Sequence, residues 1–83
     1  MFDPTMTFSL AQRKDEEIRA VISVVFEALK EKGYNPVNQI VGYILSEDPT
    51  YITTHNNARS QMSRLDRDDI LQAMVKHFVS EDI

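Results

Sequence analysis

Glu31-Lys32-Gly33-Tyr34-Asn35-Pro36-Val37-Asn38-Gln39-Ile40-Val41-Gly42-Tyr43 ends one helix, turns the chain and starts another. Gly33 stands where a helix C-terminus takes a left-handed residue, a conformation that glycine enters without Cβ strain. Asn35 offers a side-chain oxygen to the free N–H groups of a first turn. Pro36 follows at the first helical position, where its missing N–H costs nothing and its φ is already helical. Val37, Ile40, Val41, Ile44 and Leu45 then recur at helical spacing. The stretch reads as a tight, helix-turn-helix-like corner in an all-α chain.

Working back towards the N-terminus, the first long helix is expected from about Asp15 to Lys32. Asp15, Glu16 and Glu17 suit the positive end of its dipole, and Lys30 and Lys32 suit the negative end. Ile18, Ile22, Val25, Phe26 and Leu29 form its apolar stripe, which Val21, Val24 and Ala28 widen beyond what one neighbour would cover. Residues 1–13 show no helical stripe. Met1, Phe2, Met6, Phe8 and Leu10 alternate as a strand would, but an isolated strand has no partner in a helical chain. They read as a flexible tail, leaving residues 14–83 as one helical dimerisation and interaction domain.

Working forward, the second helix runs from Pro36 to about Ser46. Gly42 lies inside it, at a cost of about 1 kcal/mol relative to alanine. It marks either a crowded contact within the chain or a close crossing between two copies. Asp48-Pro49 repeats the cap-then-proline device and opens a short helical turn through Tyr51 and Ile52. A further helix is expected from His55 or Asn57 to Leu65, with Ala58, Met62 and Leu65 inward. Asp66 then caps the last helix, with Asp69 three residues on in the manner of a capping box. Ile70, Leu71, Met74, Val75, Phe78 and Val79 are its expected buried face. The architecture is four main helices plus a short turn.

Eighty-three residues make one domain with a small core. Chains of this size gain only ~3–5 kcal/mol from a core unless something staples it. With no cysteine there is no disulfide framework and no thiolate metal site. Self-association is the remaining staple, so a homodimer is expected, with Val25, Leu29, Ile40, Val41, Gly42 and Ile44 as the candidate core and dimer-packing set. The absence of cysteine also suits a reducing cytosol, and neither a secretory pattern nor a membrane-length apolar run is present. A cytoplasmic protein is expected. The net charge of −4 opposes nucleic-acid phosphates.

Enzyme chemistry finds little support. A nucleophile needs a neighbouring base, and a metal needs converging ligands. His55 and His77 fall on different helices without ligand-type neighbours four residues away, and no glycine-rich phosphate loop is present. No catalytic residue, cofactor or metal is expected. His55 and Arg59, four apart, would share a helical face, with Arg64 and Arg67 flanking the next turn. Planar arginine forks suit carboxylate or phosphate. The plainer alternative is solvated charges paired to Asp66, Asp68 or Asp69.

The corner Lys32–Tyr43, together with Asp48-Pro49, Tyr51-Ile52, His55, Ala58-Arg59, Arg64-Leu65 and Arg67-Asp68, resembles the IreB/ReoM family of small regulatory phosphoproteins of Gram-positive bacteria. The likeness spans roughly residues 15–79 and meets the chain again at Asp3-Pro4-Thr5-Met6-Thr7-Phe8. It implies that a tail threonine accepts phosphate from a membrane Ser/Thr kinase with PASTA domains, opposed by a cognate phosphatase. By the local pattern, Thr5 is the principal acceptor and Thr7 a second. Pro4 before Thr5 and a short tail depart from the usual pattern. The resemblance further implies control of peptidoglycan synthesis, and of tolerance to cell-wall antibiotics, through turnover of MurA by the ClpC–ClpP protease or its adaptor. In that scheme the unphosphorylated form promotes degradation and phosphorylation relieves it. His55, Arg59, Arg64 and Arg67 belong to the resembling pattern and become a candidate interaction surface.

A phosphate adds about −1.5 to −2 charges and strong acceptors. It could dock the tail near Arg13 and Lys14 or near Arg59, Arg64 and Arg67. The rival reading is a small helix-turn-helix DNA-binding regulator. Arg59, Arg64 and Arg67 suit that role, but no helix is rich in base-reading side chains.

Overall fold

The computed structural model describes the backbone of residues 4–80 and the side chains of residues 13–80. It is all-α, as expected. The order is α1 (Pro4–Glu31), α2 (Pro36–Ser46), a 3-10 turn η1 (Pro49–Tyr51), a second 3-10 turn η2 (His55–Asn57), α3 (Ala58–Ser63) and α4 (Arg67–Ser80).

The corner forms as its residues dictate. Gly33 takes φ of +84°. The Tyr34 N–H bonds back to the Leu29 carbonyl at 3.0 Å and the Gly33 N–H to Lys30 at 3.0 Å. These paired bonds satisfy the carbonyls that a helix end leaves open. The Asn35 side chain accepts from the Asn38 N–H at 3.1 Å, with Pro36 at the first position of α2. Asp48 repeats the device ahead of Pro49, accepting from both the Thr50 N–H and the Thr50 hydroxyl. Asp66 accepts from the Asp68 N–H at 3.0 Å and opens α4.

Three expectations are corrected. First, α1 starts at Pro4 rather than near Asp15. Pro4 serves the first turn as Pro36 serves that of α2, and no glycine or further proline interrupts the residues that follow. The acidic run Asp15-Glu16-Glu17 therefore lies within the helix, where Asp15 meets Lys76. Met1, Phe2 and Asp3 lie outside the described residues. Second, the helix expected from His55 or Asn57 to Leu65 is split. Asn56 and Asn57 both take positive φ, 54° and 60°, so η2 and α3 are separate pieces. Asparagine tolerates that conformation better than most residues. The His55–Arg59 pair thus loses its shared helical face.

The third correction concerns α4. Of its six expected core residues only Ile70 is buried; Leu71, Met74, Val75, Phe78 and Val79 are exposed, Phe78 by 73 %. α4 meets α1 through the ion pairs Asp69–Lys14 (2.9 Å) and Lys76–Asp15 (3.7 Å). Leu71, Val75 and Phe78 centre about 160° round the helix from Asp69, Ala73 and Lys76, with Ile70 between them. One helix carries two faces, and the described residues cover only one. Asp69 consequently pairs with α1 and does not complete a capping box.

The core itself lies between α1, α2 and α3. Val25, Ala28 and Leu29 of α1 meet Ile40, Tyr43 and Ile44 of α2, with Ile52, Ala58, Met62 and Ile70 closing the remaining sides. Val25, Leu29, Ile40 and Ile44 are buried in the core of the single chain, whereas Val41 is 48 % exposed. Val37, Val41 and Leu45 line the outer face of α2. Gly42 faces η1. A Cβ there would stand 2.5 Å from Cε1 and 2.7 Å from Cδ1 of Tyr51. Gln39 holds the same residue by donating from Nε2 to the Tyr51 carbonyl at 2.9 Å. The missing side chain is therefore explained by a contact within the chain.

Gly42→Ala should gain about 1 kcal/mol of helix propensity but meet an overpacking cost of about 1–3 kcal/mol. Urea denaturation should show a net loss in the native background. In Tyr51→Ala the same substitution should stabilise, and an identical effect in both backgrounds would refute the contact.

Candidate functional site

The four basic residues singled out in the sequence do not form one cluster of free charges. His55 Nε2 lies 2.8 Å from Glu31 Oε1, tying η2 to the end of α1. Its backbone N–H donates to the Thr53 hydroxyl at 3.2 Å. Arg59 donates from Nε to the Ile52 carbonyl at 2.8 Å and from its backbone to Thr53 at 3.0 Å, stitching the preceding loop to α3. Arg67 donates from Nη1 to the Ile44 carbonyl at 2.6 Å and pairs through Nη2 with Glu47 at 3.0 Å. It thereby caps the C-terminus of α2 from the first turn of α4. Arg64 is exposed and forms no ion pair among the described residues.

These partners differ from the acidic residues expected from spacing. None of Asp66, Asp68 and Asp69 pairs with an arginine among the described residues; Asp69 takes Lys14 instead. The hydrogen bond with Asp69 raises the Lys14 ammonium above its ordinary value, and the carboxylate charge adds to it. The Thr50 hydroxyl, then the Thr50 N–H, holds the Asp48 carboxyl below its ordinary range, with a smaller contribution from the charge of Arg59. The α1–α4 ion pairs carry no local sequence signal, because their partners lie on helices far apart in the chain. Tyr51 over Gly42 was foreshadowed only by the glycine.

Hollows lie between these elements among the described residues. One of about 260 Å³ lies between α1 and α3, against Glu17, Val21, Asn57, Ser60, Gln61 and Arg64. A second of about 380 Å³ lies against Pro49, Thr54, Asn57, Arg59, Ser60 and Ser63. A third, also about 380 Å³, separates α1 from α4, with Ile18, Ile22, Ala73 and Met74 as its apolar walls. Among the described residues no group of three or more His, Asp or Glu converges to hold a metal. No helix there is long and apolar enough to cross a membrane. The candidate acceptors Thr5 and Thr7 fall in the opening turns of α1 by backbone; their side chains lie outside the described residues.

Residues 3–80 match the family described as the IreB regulatory phosphoprotein. The chain belongs to that family. A UPF0297 protein of Acetivibrio thermocellus is 51 % identical over 79 residues, covering 95 % of this chain and 88 % of the relative. A UPF0297 protein of Ruminiclostridium cellulolyticum is 52 % identical over 75 residues, covering 90 % and 85 %. The chain is accordingly a non-catalytic regulatory phosphoprotein, of the IreB family linked to PASTA-kinase signalling and cell-wall regulation.

Arg67 and Arg64 separate structural from available charge. Arg67→Ala removes a hydrogen bond from a charged donor and should cost about 1–3 kcal/mol in chemical denaturation. Arg64→Ala should change stability by less than about 0.5 kcal/mol. Equal losses for the two would contradict this division.

Proposed function

We propose that this chain is a cytoplasmic phospho-switch, with Thr5 the principal acceptor and Thr7 a second. The observation that carries the reading is the family match, which begins at residue 3 and so takes in both threonines. The acting enzyme is a membrane Ser/Thr kinase with PASTA domains, and a cognate phosphatase reverses it. The output is peptidoglycan synthesis, set through ClpC–ClpP turnover of MurA. The unphosphorylated chain promotes that turnover and the phosphorylated chain relieves it. Among the four basic residues, Arg64 and the Nη atoms of Arg59 are best placed to meet a partner, since His55 and Arg67 are engaged within the chain. The same engagement weakens the DNA-binding alternative.

The active form is a homodimer joined through α4. Leu71, Met74, Val75, Phe78 and Val79 leave on one helix an apolar surface that a second copy can cover. So small a core benefits from that added burial.

Phosphosite mapping by mass spectrometry, on protein from its own cells with and without kinase inhibition, should find a kinase-dependent phosphate on Thr5 or Thr7. An unmodified N-terminus under all conditions would reject the switch. Phe78→Glu places a charge in the α4 surface, and sedimentation velocity should show a dimer become a folded monomer. A native chain that sediments as a monomer at high concentration would reject the dimer.

A further inference from the structure

The outward face of α3 is bounded by two arginines. Ala58 and Met62 point inward and are fully buried. At 100° per residue, Arg59, Ser63, Ser60 and Arg64 then follow one another round the opposite arc, with the arginines at its edges. α3 contains no acidic residue. Two hollows flank this arc and share Asn57 and Ser60, the one that holds Arg64 more polar than the one that holds Arg59. Glu17 is the one carboxylate among their described linings.

The donors here are available. Arg59 uses Nε for the Ile52 carbonyl, and its Nη atoms make no hydrogen bond or ion pair among the described residues, the Asp48 carboxylate feeling its charge from beyond ion-pair distance. Arg64, and the side chains of Asn57 and Ser60, likewise carry no described partner, while the Ser63 hydroxyl donates to the Ser60 carbonyl. Because Nε anchors Arg59, its fork is held in place before any ligand arrives. Two guanidinium forks with amide and hydroxyl donors between them match an oxyanion with several acceptor oxygens.

We propose that this face is a phosphoryl subsite, occupied by the phosphothreonine of the chain's own N-terminal segment. The choice of phosphate source rests on the acceptor reading given above. Glu17 at the subsite is twelve residues beyond Thr5, about 18 Å along an unbroken helix. The phosphate therefore reaches Arg59 and Arg64 only if the opening turns of α1 unwind. Lys14, tied to Asp69, is the natural limit of that unwinding. Nine extended residues from Lys14 back to Thr5 span up to about 30 Å, enough to turn back to α3. Phosphorylation would then exchange the first turns of a helix for a segment docked across α3.

The test uses full-length chain prepared with phosphate on Thr5 by chemical ligation, so it does not depend on whether a cellular kinase acts there. Nitrogen-15 NMR should show perturbations at Asn57, Ser60 and the Arg59 and Arg64 side chains, with loss of helical shifts before Lys14. They should be independent of protein concentration. Arg64→Ala should reduce the docked population by about tenfold, as expected for loss of a hydrogen bond to a charged group, and Arg64→Lys should restore it only in part. Perturbations confined to Arg13 and Lys14 would overturn the subsite. So would equal perturbation of the unphosphorylated chain by millimolar inorganic phosphate, which would mark a general anion surface. Perturbations that grow with protein concentration would assign the phosphate to a second copy and overturn docking within one chain.

Discussion

The reversal at Gly33 sets the position of every later element on α1. With φ of +84° the chain turns directly after α1, and Tyr34 and Gly33 close the open carbonyls as it does so. Asn35 and Pro36 start α2 before any loop can form, which fixes the angle at which Ile40, Tyr43 and Ile44 come down on Val25, Ala28 and Leu29. An L side chain at residue 33 would be strained in this conformation although there is open space around it. The constraint is conformational, not steric. It explains why so short a domain can devote one unbroken helix to the floor of its core.

Once the corner is set, basic side chains act as ties between elements that share few apolar contacts. Arg67 caps α2 from α4, His55 joins η2 to α1, and Arg59 holds the loop before α3. These bonds go to backbone carbonyls, or to a carboxylate at a helix end, so each satisfies a group that the fold would otherwise leave open. An acidic chain can thus contain several arginines without presenting a broadly basic surface.

Much of this was legible in the sequence, for identifiable reasons. Cap residues, proline positions and glycine act within a few residues, and the corner at residues 31–43, the turn at Asp48-Pro49 and the cap at Asp66 all form as read. The family was legible because an ordered run of residues is more specific than any single motif. What failed depended on distance or on subtraction. Asp15-Glu16-Glu17 looks like a helix start until Pro4 is seen to provide an earlier one. The α4 stripe looks buried because periodicity reports which residues share a face, not whether the same chain covers it. Asn56 and Asn57 break a helix that propensity alone would continue. For the candidate site, the division of the basic residues into anchored and available donors depends on partners far away in the chain, such as Ile44 for Arg67 and Glu31 for His55, which no local pattern announces.

That division bears on how a small domain can regulate anything. A regulatory surface needs charge that is free to change partners, while stability needs charge that is fixed. Arg67 and Arg64 stand three residues apart in sequence and on opposite sides of that requirement. The same partition runs along α1. Its C-terminal half is locked into the core by Val25, Ala28 and Leu29, and its middle faces α4 through Ile18 and Ile22 and through the ion pairs of Lys14 and Asp15. Exposed pairs of this kind contribute little to stability. Thr5 and Thr7 lie in the opening turns of α1, far along the helix from the residues that build the core. An added phosphate can act there without first having to unfold the core.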